Sequence, residues 1–180
     1  MTEAELIKKC QRDSRSAQEE LYTRYADRLY RLAYRYIKSE PDAEDVLMLA
    51  FAKVFSNIRS FSYRGEGSLE GWMRRIVVNE ALMWLRRKHN FNMTESLDTS
   101  QHEPDLLAYQ ELDAEDVYQF VAQLPTGYRT VFNLSVIEGF NHAEIAEMLQ
   151  ISENTSRSQL FKAKSLLKKL LTQEGYNYGT

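Results

Sequence analysis

Apolar residues recur at intervals of three and four through most of this chain, the spacing that turns one side of a helix toward a core. The pattern predicts a short helix at residues 2–9, anchored by Leu6 and Ile7, and a long one at 16–38. Leu21, Tyr25, Leu29, Leu32, Ala33 and Tyr36 line one side of the long helix, which also carries Tyr22, Tyr30 and Tyr34. A tyrosine-rich helix is more often a core helix whose hydroxyls reach water than a stacking platform. Ser39-Glu40-Pro41 interrupts the pattern, and Asp42, Glu44 and Asp45 fall in the first turn of the next helix, where the backbone dipole favours negative charge. The core stripe of that helix is Ala43, Leu47, Ala50, Phe51, Val54 and Ile58. Met48 and Leu49 fall outside the stripe, so VLMLAFA at 46–52 is apolar nearly all round. Complete burial is hard to arrange in a small domain, and docking of a partner through Met48 and Leu49 is the competing use of such a helix.

FSYRGEGSLEG at 61–71 is a loop whose glycines, at 65, 67 and 71, miss the dinucleotide-binding spacing by one and follow no strand, which excludes that reading. The helix after it spans about 68–88. Trp72, Arg75, Asn79, Leu82 and Arg86 lie along one side, and Ile76, Ala81 and Leu85 suit the core. Between Ser62 and Lys88 six basic residues face three acids, and aromatic rings stand among them. Rings that stack on bases, arginines that meet phosphates and an amide that reads a base edge suit single-stranded nucleic acid. A core tryptophan flanked by solvated arginines suits the same composition equally well.

Residues 90–108 lack helical period and contain Pro104, as a linker does. Helices are expected at 109–124, with Leu112, Val117, Phe120, Val121 and Leu124 inside, and at 128–138, with Val131, Phe132, Leu134 and Ile137 inside and Gly139 as its stop. The stretch 141–171 then reads as two helices and a tight turn. Asn141 with Glu144 forms a capping box, Gln150-Ile151 turns the chain, and Ser152 caps the second helix. Leu160, Ala163, Leu167 and Leu171 form the apolar stripe of that helix; Asn154, Ser158, Phe161, Lys162, Ser165 and Lys169 fall opposite, with Arg157 at the flank. Five basic residues against one acid from Glu153 to Leu171 make this a helix-turn-helix whose second helix suits a major groove. A solvated surface hairpin is the blander alternative. Packing alone does not explain Phe161, which stands on the polar face, where a thymine methyl gives it a use.

Composition narrows this further. Seven Gly and three Pro in 180 residues argue against a loop-rich β architecture, leaving an all-α protein of two small helical domains, at 1–89 and 109–172, with a tail at 173–180. The net charge of −3 hides a segregation: Asn90 to Asp116 holds eight acids and no Lys or Arg, so the remainder stands at about +5. That suits two separate DNA contacts joined by an acidic linker that avoids phosphate or mimics it. No apolar run approaches the ~20 residues of a membrane span, no signal peptide is expected, and the lone Cys10 suits a reducing cytoplasm. Histidines 89, 102 and 142 have no metal spacing, and no nucleophile or phosphate-loop motif is present, so neither enzyme, metal nor cofactor is expected.

DAEDV at 42–46 with AFAKVFSNIRSF at 50–61, YRGEGSLEGWMRRIVVNEAL at 63–82 and LPTGYRTVFNLSVIEGFNHAEIAEMLQISENTSRSQLFKAKSLL at 124–167 together resemble the sigma factors of bacterial RNA polymerase, in particular the small extracytoplasmic-function (ECF) group. The resemblance implies that the helix carrying Asp42, Asp45, Met48, Leu49 and Phe51 binds the clamp helices of core RNA polymerase. Tyr63, Arg64, Gly67, Trp72, Arg75 and Asn79 would capture the unpaired non-template strand of the minus-ten element, with a flipped base near Tyr63, Gly67 and Asn79. Arg157, Ser158, Phe161 and Lys162 would read the minus-thirty-five element as duplex promoter DNA, and an anti-sigma factor would cover the same surfaces. The family usually has Gln and an acid where this chain has Met48 and Leu49, and a basic residue in place of Gln159. A free-standing helix-turn-helix regulator and a regulatory homologue with altered polymerase binding are the alternatives.

Overall fold

The computed structural model describes residues 1–89 and 114–175, with the side chains of 114–116 left aside. Among the described residues every regular element is a helix and none is a strand. The chain divides into two compact units, Met1–Leu85 and Arg86–Thr180.

In the first unit, helix α1 (Glu3–Cys10) opens with a capping box between Thr2 and Glu5 and buries Leu6, Ile7 and Cys10. Burial pushes the Cys10 thiol pKa up, away from the reactive thiolate. α2 (Arg15–Ile37) ends on Lys38 in the left-handed conformation, and α3 (Glu40–Asn57) begins with Pro41 in its first turn, where a missing N–H leaves no bond unmade. α2 and α3 pack along each other. Every residue of the expected α2 and α3 stripes is buried, and Val46 joins them. Of the α2 tyrosines, Tyr25 and Tyr36 are inside while Tyr22 and Tyr34 are exposed. A 3-10 turn at Ile58–Ser60 leads to the 61–67 loop and then α4 (Ser68–Lys88).

α4 departs from the expected orientation. Leu69, Met73, Val77, Val78, Ala81, Leu82 and Leu85 form its buried side, so Leu82 lies inside and Ile76 is only partly covered. The apolar residues of this helix are spread too widely round its circumference to name one stripe. Glu80 is also inside, 5% exposed, and its Oε1 lies 2.5 Å from Lys53 Nζ on α3.

The second unit comprises α5 (Ala114–Ala122), α6 (Thr126–Phe132), a π-helical turn at Asn133–Ile137, α7 (His142–Leu149) and α8 (Glu153–Gln173). The single helix expected at 128–138 is thus α-helical only at its start. Phe120, Val121, Leu124, Val131, Phe132 and Leu134 fill the core with Ile145, Leu149 and the α8 stripe Leu160, Ala163, Leu167 and Leu171. Ile137 is only partly covered. Arg129 is buried and donates through Nη1 to the Leu124 carbonyl at 2.7 Å; burial lowers its pKa. Residues 109–113 of the helix expected at 109–124 and the linker at 90–108 lie outside the described residues, as does the tail beyond 175.

Candidate nucleic-acid interface

In the N-terminal unit the 61–67 loop stands out from the helices. Residues 62–67 are all exposed, and Gly65 and Gly67 take φ of +116° and +83°, conformations that side chains with a Cβ rarely adopt. Tyr63 is 44% exposed. Ser68 Oγ ties the loop back to α4, donating to the Gly65 carbonyl at 2.6 Å and accepting from the Arg64 N–H at 3.2 Å. Beside the loop, the end of α3, the 3-10 turn and the first half of α4 enclose a cleft of about 720 Å³. Arg64 and Arg75 give its lining positive charge, Lys53 lines it while paired with Glu80, and Asn57, Ser60, Ser62 and Ser68 supply hydrogen-bonding groups. Phe61 and Trp72 form an aromatic wall, with ring centroids 4.9 Å apart and planes 36° from parallel.

Trp72, Arg75 and Asn79 follow one another at i, i+3 and i+7, so they share the outer face of α4. Arg75 and Asn79 are exposed and Trp72 is half-buried, which opposes the reading of a core tryptophan. Tyr63, Gly67 and Asn79, expected round one base pocket, are not among the cleft's lining residues. They flank it from the loop tip and from farther along α4. Lys53 and Asn57, by contrast, were not singled out from the sequence; they belong to α3, and only the packing of α3 on α4 brings them to the cleft.

Toward the start of α3, Met48 and Leu49 are 68% and 51% exposed, with Asp45 beside them, and Leu49 lies one turn before Lys53. Phe51 belongs elsewhere. It is 4% exposed, its ring 4.7 Å from that of Tyr22 and 5.9 Å from that of Phe55, so it supports the surface from beneath and cannot be a surface contact.

In the C-terminal unit the helix-turn-helix forms as its caps predict. Asn141 Oδ1 accepts from the Glu144 N–H at 2.9 Å, and Glu144 Oε2 accepts from the Asn141 N–H at 2.8 Å. Gln150 takes φ +57° at the end of α7, and Ser152 Oγ accepts from the Thr155 N–H at 3.0 Å to start α8. His142 Nδ1 and Ser156 Oγ, 2.8 Å apart, join the starts of the two helices. Asn154 and Arg157 are exposed, and Phe161 and Lys162 are half-buried. Arg157 rests on Glu153 at 3.1 Å, one helical turn away.

Ser158 is a correction: at 5% exposed it is buried, together with Thr155, Ser156 and Gln159. α8 packs against α6 as well as α7, so its buried arc is wider than the leucine stripe alone indicates. Gln159 therefore faces the protein. A Cβ added to Gly127 would stand 3.0 Å from its Oε1.

Both surfaces coincide with family matches. Sigma-70 region 2 matches residues 21–91, and sigma-70 region 4 matches residues 114–167. The chain belongs to the ECF sigma factors. It is a promoter-directing sigma factor of RNA polymerase. It is 29% identical over 181 residues to the ECF RNA polymerase sigma-E factor of Haemophilus influenzae, covering 93% of this chain and 94% of that one. The sigma-E factor of Escherichia coli K12 is 28% identical, with 93% of each covered. The ECF sigma factor SigE of Mycolicibacterium smegmatis is 29% identical over 161 residues, 86% of this chain but only 62% of that protein. Among solved structures, CnrH in complex with the cytosolic domain of CnrY aligns over 94% of this chain and 97% of that one, at 22% identity and a TM-score of 0.49. In this sigma factor the cleft and the 61–67 loop both fall within the region 2 match, and the helix-turn-helix within the region 4 match. Among the described residues no helix is long and apolar enough to cross a membrane.

Proposed function

We propose that the two units divide promoter recognition between two forms of DNA. The N-terminal unit docks on core RNA polymerase through the exposed face of α3, with Asp42, Asp45, Met48 and Leu49. It takes the unpaired minus-ten strand along Tyr63, Arg64, Trp72, Arg75 and Asn79. Gly67 acts through its backbone, whose positive φ shapes the loop. The C-terminal unit reads the duplex minus-thirty-five element with Arg157, Phe161 and Lys162 in the major groove. Core polymerase fixes the distance between the two sites and makes binding bivalent.

One observation carries this reading. A cleft with two aromatic rings and two arginines, Arg64 and Arg75, opens beside an exposed loop, where stacking and phosphate contact are available together. Unstacking a base costs a few kcal/mol, and a site that fits the extruded base offsets that cost only for the right sequence. Met48 and Leu49 replace polar contacts with apolar ones, so desolvation contributes more of the docking energy on α3. The same feature favours a second reading, a regulatory homologue with altered polymerase binding. An anti-sigma factor that covers these surfaces, in the cytoplasm, is the further partner this reading includes.

Run-off transcription with core polymerase on genomic fragments tests the proposal. Discrete transcripts that require both the chain and core are expected. Protection of duplex operator by the chain alone, with no such transcript, would contradict it.

A further inference from the structure

α1 and the turn after it take no part in promoter recognition as described above, yet three of their side chains converge on the strand-binding loop. Glu3 grips its far end: Oε2 accepts from the Gly67 N–H at 3.0 Å and Oε1 from the Leu69 N–H at 3.2 Å. Gln11 grips its near end, with Nε2 donating to the Ile58 carbonyl at 3.1 Å and to the Phe61 carbonyl at 2.9 Å. Asp13 is ion-paired with Arg59 in the 3-10 turn that precedes the loop. These groups are carried on a fixed body, because Leu6, Ile7 and Cys10 anchor α1 in the core.

The loop needs such a hold. Its own residues 62–67 are exposed, and two of them are glycines at positive φ. A loop left to sample many shapes must be ordered when the strand binds, and that entropy is subtracted from affinity. A carboxylate on the first N–H groups of α4 supplies what a capping side chain supplies, from a residue more than sixty positions away. It also occupies those N–H groups, so the strand's phosphates must be met by side chains such as Arg64 and Arg75.

We propose that α1 is a clamp for the promoter-opening loop, with Glu3 and Gln11 as positioning residues that never touch DNA. The inference rests on the proposed capture of the minus-ten strand by this loop. Its test uses holoenzyme assembled from core polymerase and the full chain. The probes are a fluorescein-labelled single strand with the minus-ten region of a promoter found by run-off, and a duplex with its minus-thirty-five region. Glu3→Ala and Gln11→Ala each weaken binding of the single strand about tenfold, equivalent to ~1.4 kcal/mol. Glu3→Gln, which keeps one acceptor oxygen, weakens it less. Duplex binding and affinity for core are unchanged in all three, an outcome that general unfolding would not produce. Single-strand binding within about twofold of the unaltered chain in all three variants, while Asn79→Ala weakens it, overturns the clamp alone. No single-strand binding by the unaltered holoenzyme overturns the clamp and the strand-capture reading together.

Discussion

In the C-terminal unit the candidate DNA-reading residues stand on a helix held by its own backbone bonds and by caps within four residues of its ends. In the N-terminal unit they stand on a loop, and on the helix after it, whose shape depends on side chains from α1 and α3. The difference follows from the form of DNA each would meet. A duplex groove has a regular shape that a rigid helix can match. An unpaired strand has no fixed shape, so the protein must supply one, and a loop can wrap a base where a helix cannot. Damage to the C-terminal site should therefore be local, whereas the N-terminal site should respond to changes far from the DNA.

The sharpest way to break this comparison is on α3, where one helix carries both a core residue and the proposed docking face. Phe51→Ala removes a ring packed between Tyr22 and Phe55 and is expected to destabilise the N-terminal unit by about 3–5 kcal/mol, read by chemical denaturation. Met48→Ser with Leu49→Ser, on exposed positions, should leave stability within about 0.5 kcal/mol and weaken binding to core polymerase. If the double variant binds core unchanged, the docking assignment is wrong; if Phe51→Ala leaves stability intact, so is the placement of that ring.

A smaller effect separates two neighbours on α8. Arg157→Ala should weaken duplex recognition by about 1–3 kcal/mol and relax preference at one base position, as measured by fluorescence anisotropy across a set of single-base variants. Ser158→Ala, at a buried position, should leave base preference unchanged, whatever it does to folding. An altered preference in Ser158→Ala with an unaltered one in Arg157→Ala would reverse the two assignments.

Legibility in the sequence follows the same division. The helix-turn-helix could be read from local signals: Asn141 with Glu144, Ser152, and a leucine stripe at helical spacing all appear as the pattern indicates. The α3 stripe was equally plain, and Met48 and Leu49 stand outside the core because they fall outside that stripe. Ser158 could not be placed, because the width of a buried arc depends on how many helices cover it, and α6 adds to what α7 covers. Phe51 sits on the core stripe of a helix that is apolar on other sides too, so its surface role conflicted with its own periodicity. On α4, Leu82 and Ile76 were assigned to the wrong sides because apolar residues surround much of the helix. The grips of Glu3 on Gly67 and Leu69, the two bonds from Gln11, and the pairing of Lys53 with Glu80 leave no local trace. They join residues that only the folded chain brings together.

The central claim is that one unit opens DNA and the other positions it, and permanganate reactivity of thymines in complexes with core polymerase tests this most directly. On a promoter that the unaltered holoenzyme opens, Asn79→Ala should abolish reactivity in the minus-ten region while upstream duplex protection persists. Arg157→Ala should reduce protection and reactivity together, and both should return at higher holoenzyme concentration. Full minus-ten reactivity with Asn79→Ala, or loss of upstream protection alone in that variant, would contradict the division of roles.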